Sequence, residues 1–154
     1  CFFFLVSLPL PLSLSLSMLR LFVCVMFSRG WLLFEVNLQT GPSNDQDKAL
    51  HFKPCIGQKV TLNSFRNGKW ESEESASVEP FTSGAPFTMF FVTTPQGYEV
   101  YVNGFQHCMF KHRIPLEKIN SLIIRGDVSA NMIGMIKVSN ALSFFINCHI
   151  CGSF

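Results

Sequence analysis

The chain is short of charge, and what it has is balanced. Charged side chains make up 14% of its 154 residues, well below the usual quarter. The 12 basic groups barely outnumber the 10 acidic ones. Both extra bases, Arg20 and Arg29, lie near the start, so everything from residue 31 onward is neutral. A neutral body offers no electrostatic footprint to a phosphate backbone, which excludes nucleic acid as a partner. Long helical periodicity is also missing. So are a glycine-rich phosphate loop and a nucleophile elbow. No paired Ser or Cys motif accompanies His51, His107 or His112. Enzymatic activity is therefore not expected, and no cofactor is implied.

Cysteine is sparse where a framework would need it. Of six, Cys1, Cys24, Cys148 and Cys151 fall in or beside the apolar ends, leaving Cys55 and Cys108 in the middle. That spacing does not make a disulfide scaffold, and free thiols are the simpler expectation. "CHIC" at 148–151 groups two thiols and an imidazole, but structural zinc needs a second ligand pair, so no metal is expected.

The two ends differ from the middle. Residues 1–30 form an apolar non-domain segment that admits three readings: a signal peptide, a membrane segment, or an artefactual, unstructured lead. Pro9 and Pro11 interrupt any helix there, and "LSLSLS" has a period of two. Neither a basic start nor a small-residue cleavage site stands out. Membrane contact is expected only if residues 1–27 belong to the product. The tail, 138–154, is apolar and is expected to be a second non-domain extension.

Residues 31–137 read as one folded unit. "FEVNL" (34–38), "KALHFK" (48–53), "KVTLN" (59–63), "PFTMFFVT" (86–93), "YEVYVN" (98–103) and "SLIIRG" (121–126) are short runs rich in β-branched and aromatic residues. Turn signals separate them: "TGPSNDQD", "RNGK", "TSGA", "PQG" and "NG". The Asn-Gly of "RNGK" marks a tight hairpin. "HRIPLEKI" (112–119) allows one short helical turn, limited by Pro115. The implied fold is all-β: an antiparallel sandwich of the jelly-roll kind.

Functional residues gather in "HFKPCIGQKVTLNSFRNGKWESEES" (51–75). On a strand, His51, Lys53 and Cys55 share one face while Phe52 and Pro54 share the other. Trp70 stands among Lys69, Glu71, Ser72 and Glu73, where a core tryptophan and an exposed aromatic plate are equally open readings. An imidazole, an amide, a carboxylate and an aromatic plate on neighbouring strands suit a sugar. The plate stacks on the apolar ring face, and the polar groups fix its hydroxyls.

This stretch resembles the galectins, the β-galactoside-binding lectins. Their pattern H-F-N-P-R, V-x-N, W-x-x-E-x-R/K is matched by His51-Phe52-Lys53-Pro54-Cys55, then Thr61-Leu62-Asn63, then Trp70 to Ser75. "FEVNLQTG", "PFTSGAPFTMFFV" and "GYEVYVNGFQHCMFKHRIPLEKINSLIIRGDV" are similar to the family's framework, so the likeness covers about 34–136. It implies a jelly-roll-like sandwich of two antiparallel sheets and a carbohydrate-recognition domain over 31–137, incomplete at its N-terminus. The implied roles are a bond from His51 to the axial hydroxyl of galactose and from Asn63 to its hydroxymethyl oxygen. Trp70 would stack on the ring, and Glu73 would accept from sugar hydroxyls. The partners implied are β-galactoside glycans on glycoproteins or glycolipids, with a homodimer or a second lectin domain as the means of crosslinking. The implied location is cytoplasmic and extracellular by non-classical export, or membrane-associated if residues 1–27 act as an anchor.

Three polar positions depart from the pattern, besides Thr61 in place of its valine. Lys53 replaces asparagine, Cys55 replaces arginine, and Ser75 replaces the last basic residue. A guanidinium reaches sugar oxygens and a carboxylate together, which a thiol cannot do. Glu73 is expected to lose both basic partners, with Lys53 a partial substitute. Sugar binding is therefore expected to be weakened. The alternative is a galectin-fold protein-interaction module without sugar binding. The family's opening strands fall where this chain has its apolar lead, so one sheet is expected to lack a strand or to be closed by unrelated sequence.

Overall fold

Alternation of buried and exposed residues decides which segments become strands. In the computed structural model, backbone is described for residues 4–9, 19–28, 33–55, 57–138 and 145–149, and side chains for 33–55, 57–129 and 133. The run at 86–93 places Phe87, Met89, Phe91 and Thr93 inward and leaves their neighbours outward, the period-two pattern of a half-buried strand.

One antiparallel sheet holds β1 (Phe4–Pro9), β3 (Phe34–Gln39), β4 (Lys48–Cys55), β5 (Lys59–Arg66), β6 (Lys69–Trp70), β7 (Glu74–Ala76) and β11 (Ser121–Gly126). Its order is β1-β11-β3-β4-β5-β6, with β7 also paired to β5. The second sheet holds β2 (Leu19–Ser28), β8 (Pro86–Thr93), β9 (Gly97–Val102), β10 (Phe105–Lys111), β12 (Val128–Val138) and β13 (Phe145–His149). Its order is β10-β9-β8-β2-β12-β13. The result is a jelly-roll-like sandwich, with non-consecutive strands adjacent in both sheets.

The core lies between the sheets. Val36, Leu38, Phe52 and Leu62 from the first meet Met89, Phe91, Val100 and Phe110 from the second. Phe52 joins the two layers, with its ring edge-on to Phe91 at 5.7 Å. The hairpin predicted at "RNGK" closes through Asn67 and Gly68, both at positive φ (53° and 76°), as its turn type requires. The helical turn predicted near 112–119 shrinks to one 3-10 turn, Leu116–Lys118, which begins directly after Pro115. β10 follows Asn103-Gly104, the second Asn-Gly turn. The run analysis did not separate it from the segment around it because a bulge between Gln106 and Cys108 breaks its alternation.

The expected shortage of opening strands is resolved in favour of closure by the apolar lead. β1 pairs with β11 from Phe4↔Gly126 to Pro9↔Ser121. β2 lies between β8 and β12, paired with both. The backbone groups of β8 and β12 would otherwise be open edges, and the Leu- and Phe-rich lead supplies them with partners. In the tail, Phe145–His149 pairs with Lys137–Ile133 of β12, so strand pairing extends beyond 31–137 at both ends. Among the described residues, no helix is long and apolar enough to cross a membrane. The "CHIC" reading depends on side chains outside the described residues.

Deleting residues 1–30 should therefore expose β8, β12 and β11 together. Thermal melting with light scattering should show a lower transition and aggregation for the truncated chain. Unchanged melting and scattering would mean that these pairings contribute nothing.

Candidate functional site

Strand register assembles the site in rows. Lys48, Phe65 and Trp70 stand abreast on β4, β5 and β6. The next row is Asn37, His51 and Asn63 on β3, β4 and β5. Lys53, Thr61 and Ser75 follow on β4, β5 and β7. Cys55 then pairs with Lys59 and is bridged to Leu33. Strand geometry separates successive rows by about 7 Å. Members of these rows line a groove of about 580 Å³ bounded by Leu33, His51, Lys53, Cys55, Gln58, Thr61, Asn63, Trp70 and Glu73. All five sequence-selected residues, His51, Lys53, Asn63, Trp70 and Glu73, therefore reach one cleft.

The centre of the groove is polar and fixed. His51 is 8% exposed and Asn63 7% exposed. Asn37 Nδ2 donates to Glu35 Oε1 at 3.1 Å, and a carboxylate can only accept. Asn37 Oδ1 must then face His51 Nδ1, 2.6 Å away. Burial lowers the His51 pKa to about 4, with Glu35 opposing the shift and Lys53 and Lys48 adding to it. At neutral pH the ring is therefore uncharged. Nδ1 carries the proton and donates to Asn37, which leaves Nε2 as a bare acceptor.

Asn63 has the opposite polarity. Its Oδ1 accepts from Ser64 N–H at 2.8 Å and from Arg113 Nη1 at 3.4 Å. Its Nδ2 donates to the Glu71 carbonyl at 3.1 Å, and the second amide hydrogen remains for a ligand. An acceptor and a donor thus face each other across one row. Trp70 is 51% exposed, so it is not a core tryptophan. Its ring lies 4.8 Å from His51 and 5.1 Å, edge-on, from Phe65.

The sequence reading missed several supporting residues. Glu73 does not lose every base, because Lys59 forms an ion pair with it. The hairpin at Gly57-Gln58 sets Lys59 opposite Cys55, and that spacing was a usable signal. Arg113 donates to Ser64 Oγ at 3.1 Å, the Ser72 carbonyl at 2.7 Å and Glu74 Oε1 at 2.7 Å. Its guanidinium also covers the Phe110 ring at 4.5 Å. No local pattern marks Arg113, which arrives from a different part of the chain. The Ser64 hydroxyl bond, together with Arg66, holds the Glu71 carboxyl below the usual carboxylate range. Lys48 turns inward to the carbonyls of Asn44 and Gln46 at 2.7 and 3.2 Å and pins the 40–47 loop beside the tryptophan.

The remaining candidates have structural roles. His112 meets the Thr94 carbonyl at 2.8 Å and packs on Tyr98. His107 lies against Phe52 and Phe81. Cys55 and Cys108 are free thiols. Burial pushes the Cys108 thiol up to about 12, which makes it a poor nucleophile. Among the described residues, no cluster of side chains is arranged to hold a metal ion.

The His51 shift predicts how stability responds to pH. The unfolded imidazole titrates near 6.5 and the folded one near 4, so between these values the unfolded chain binds more protons. This contribution is complete above about pH 6.5 and is lost as pH falls toward 4. Denaturant melts of the chain and of His51→Gln should differ in slope across that window. Parallel profiles would contradict the assignment of a neutral imidazole.

Comparison with known proteins agrees with this geometry. The sequence profile of galactoside-binding lectins matches residues 28–135. Galectin-4 of Bos taurus is 40% identical over 114 residues, which is 71% of this chain and 34% of that protein. Galectin-7 of Rattus norvegicus is 34% identical over 101 residues, covering 65% of this chain and 74% of the relative. The chain thus spans about a third of the galectin-4 relative and most of the galectin-7 one. Among solved structures, sheep galectin-11 in complex with glycerol superposes with a TM-score of 0.71 at 27% identity, over 86% of this chain and 96% of that one. A double variant of human galectin-16 gives 0.73 at 29% identity, over 84% and 93%. With the motif, the two-sheet sandwich and these matches in agreement, the chain belongs to the galectin family of galactoside-binding lectins.

Proposed function

We propose that the groove binds β-galactosides, with lower affinity than an arginine-bearing groove would give. The observation that carries this reading is the row Asn37–His51–Asn63 beside an exposed tryptophan. A galactose ring stacked on Trp70 turns its axial hydroxyl to the bare His51 Nε2, to which it donates. Its hydroxymethyl oxygen accepts from the free Asn63 amide hydrogen. Glu73, held by Lys59, accepts from a neighbouring hydroxyl, and Lys53 lends a charge without a fork. Glycoproteins and glycolipids displaying such sugars are the partners, encountered in the cytoplasm and, by non-classical export, outside the cell.

Loss of two charge-assisted bonds at positions 55 and 75, each worth about 1.5–3 kcal/mol, lowers affinity by roughly a hundredfold or more. The same substitutions motivate a second reading, a protein-interaction module that has given up sugar.

Chromatography on a β-galactoside matrix separates the two. The folded chain should be retarded and eluted by free galactoside but not by glucose. Trp70→Ala and His51→Ala should abolish retardation without changing the fold. Cys55→Arg combined with Lys53→Asn and Ser75→Arg should tighten binding by about two orders of magnitude. A folded chain that ignores the matrix, with a triple variant that also ignores it, would discard the sugar reading.

A further inference from the structure

The groove is longer than one sugar. From the His51 row to the Cys55 row is four residues along β4, or about 13 Å at strand rise. A single hexose seated on Trp70 and His51 leaves the Cys55 end open to whatever the sugar is attached to. That end has a different chemistry from the centre. Leu33 is 46% exposed and lines it, bridged to Cys55. Four large apolar side chains are exposed among the described residues, and two of them, Trp70 and Leu33, lie in this groove.

The backbone that carries Leu33 is fixed. Its carbonyl accepts from Asp127 N–H at 3.0 Å. Gly126 packs so closely beneath that a Cβ there would come within 2.3 Å of the same oxygen. The polar groups nearby are poorly suited to a second sugar ring: Lys53, on the same face, brings a point charge without a fork. Glu73 is engaged by Lys59. Among the described residues, no hydrogen bond holds the side chain of Gln58 or Thr61, so either would have to be ordered by the ligand. The arginine that would span this end is a thiol, which packs as a small apolar group.

We infer that Leu33 and Cys55 form a seat for an apolar aglycone, so that the groove selects galactose carried directly on an alkyl or aryl group over galactose carried on a second sugar. This rests on the galactoside reading and names its substrate class. A monogalactosyl lipid and a free alkyl or aryl galactoside share the chemistry. Covering roughly 55 Å² of apolar surface at this seat gives about a tenfold gain in affinity.

Calorimetric titration of the full chain tests it with four probes: methyl β-galactoside, lactose, octyl β-galactoside and octyl β-glucoside, the octyl compounds kept below micelle-forming concentrations. Octyl β-galactoside should bind about tenfold tighter than methyl β-galactoside, and lactose no tighter than methyl. Leu33→Ser should remove the octyl gain, so that octyl and methyl β-galactoside bind it alike, with melting temperatures confirming that the variant folds. Cys55→Arg should reverse the order by favouring lactose. Octyl and methyl β-galactoside binding equally would overturn this inference alone. Octyl β-glucoside matching octyl β-galactoside would sink the galactoside reading instead, and silence from all four would remove both. Flotation with phosphatidylcholine vesicles, with and without a monogalactosyl lipid, separates the sources. Binding that needs the lipid assigns a membrane-borne galactose. Binding of octyl β-galactoside without vesicle capture restricts the seat to soluble galactosides.

Discussion

Everything at the groove depends on the register between β3, β4 and β5. Asn37, His51 and Asn63 stand abreast on the groove face because Val36, Phe52 and Leu62 stand abreast on the core face. A slip of one residue would exchange the two sets, turning an imidazole and two amides into the apolar core and a phenylalanine out of it. Truncation of a core phenylalanine typically costs about 3–5 kcal/mol, so the core enforces the register that the site needs. The site is thus the outer side of a packing solution.

The polarity of the groove follows from one carboxylate three strands from the tryptophan. Glu35 orients the Asn37 amide, Asn37 orients the His51 proton, and the bare Nε2 is what remains. Burial keeps that ring neutral, so the acceptor persists across physiological pH. Arg113 performs a comparable task for Asn63, bracing its carbonyl oxygen from a distant segment while its own charge is met by Glu74. The groove is therefore organised before any ligand arrives, which lowers the ordering cost of binding.

The departures at positions 53, 55 and 75 act on one end of this arrangement and leave the other intact. The Trp70–His51–Asn63 end keeps its donor, acceptor and plate. The Cys55 end loses its fork, and Lys59 takes over Glu73 from the neighbouring strand. In place of the family's guanidinium, a thiol stands there beside Leu33.

Much of this was written in the chain. The run at 86–93 alternates so cleanly that its bounds can be read directly, and the run at 121–126 shows instead as a short, almost wholly buried apolar stretch. The Asn-Gly turn at 67–68 and the motif residues from His51 to Glu73 needed only local pattern. Lys59 was legible in principle, since a four-residue return from Cys55 places it opposite. The sequence by itself determined the fold class and the residues at the centre of the groove, because period-two alternation and side-chain chemistry are local properties. Only the tertiary structure decided that the apolar lead closes both sheets, that Arg113 and Glu35 brace the site, and that Leu33 shares a cleft with Trp70. These depend on which strands become neighbours, and that choice is made by edge pairing and core packing between segments distant along the chain.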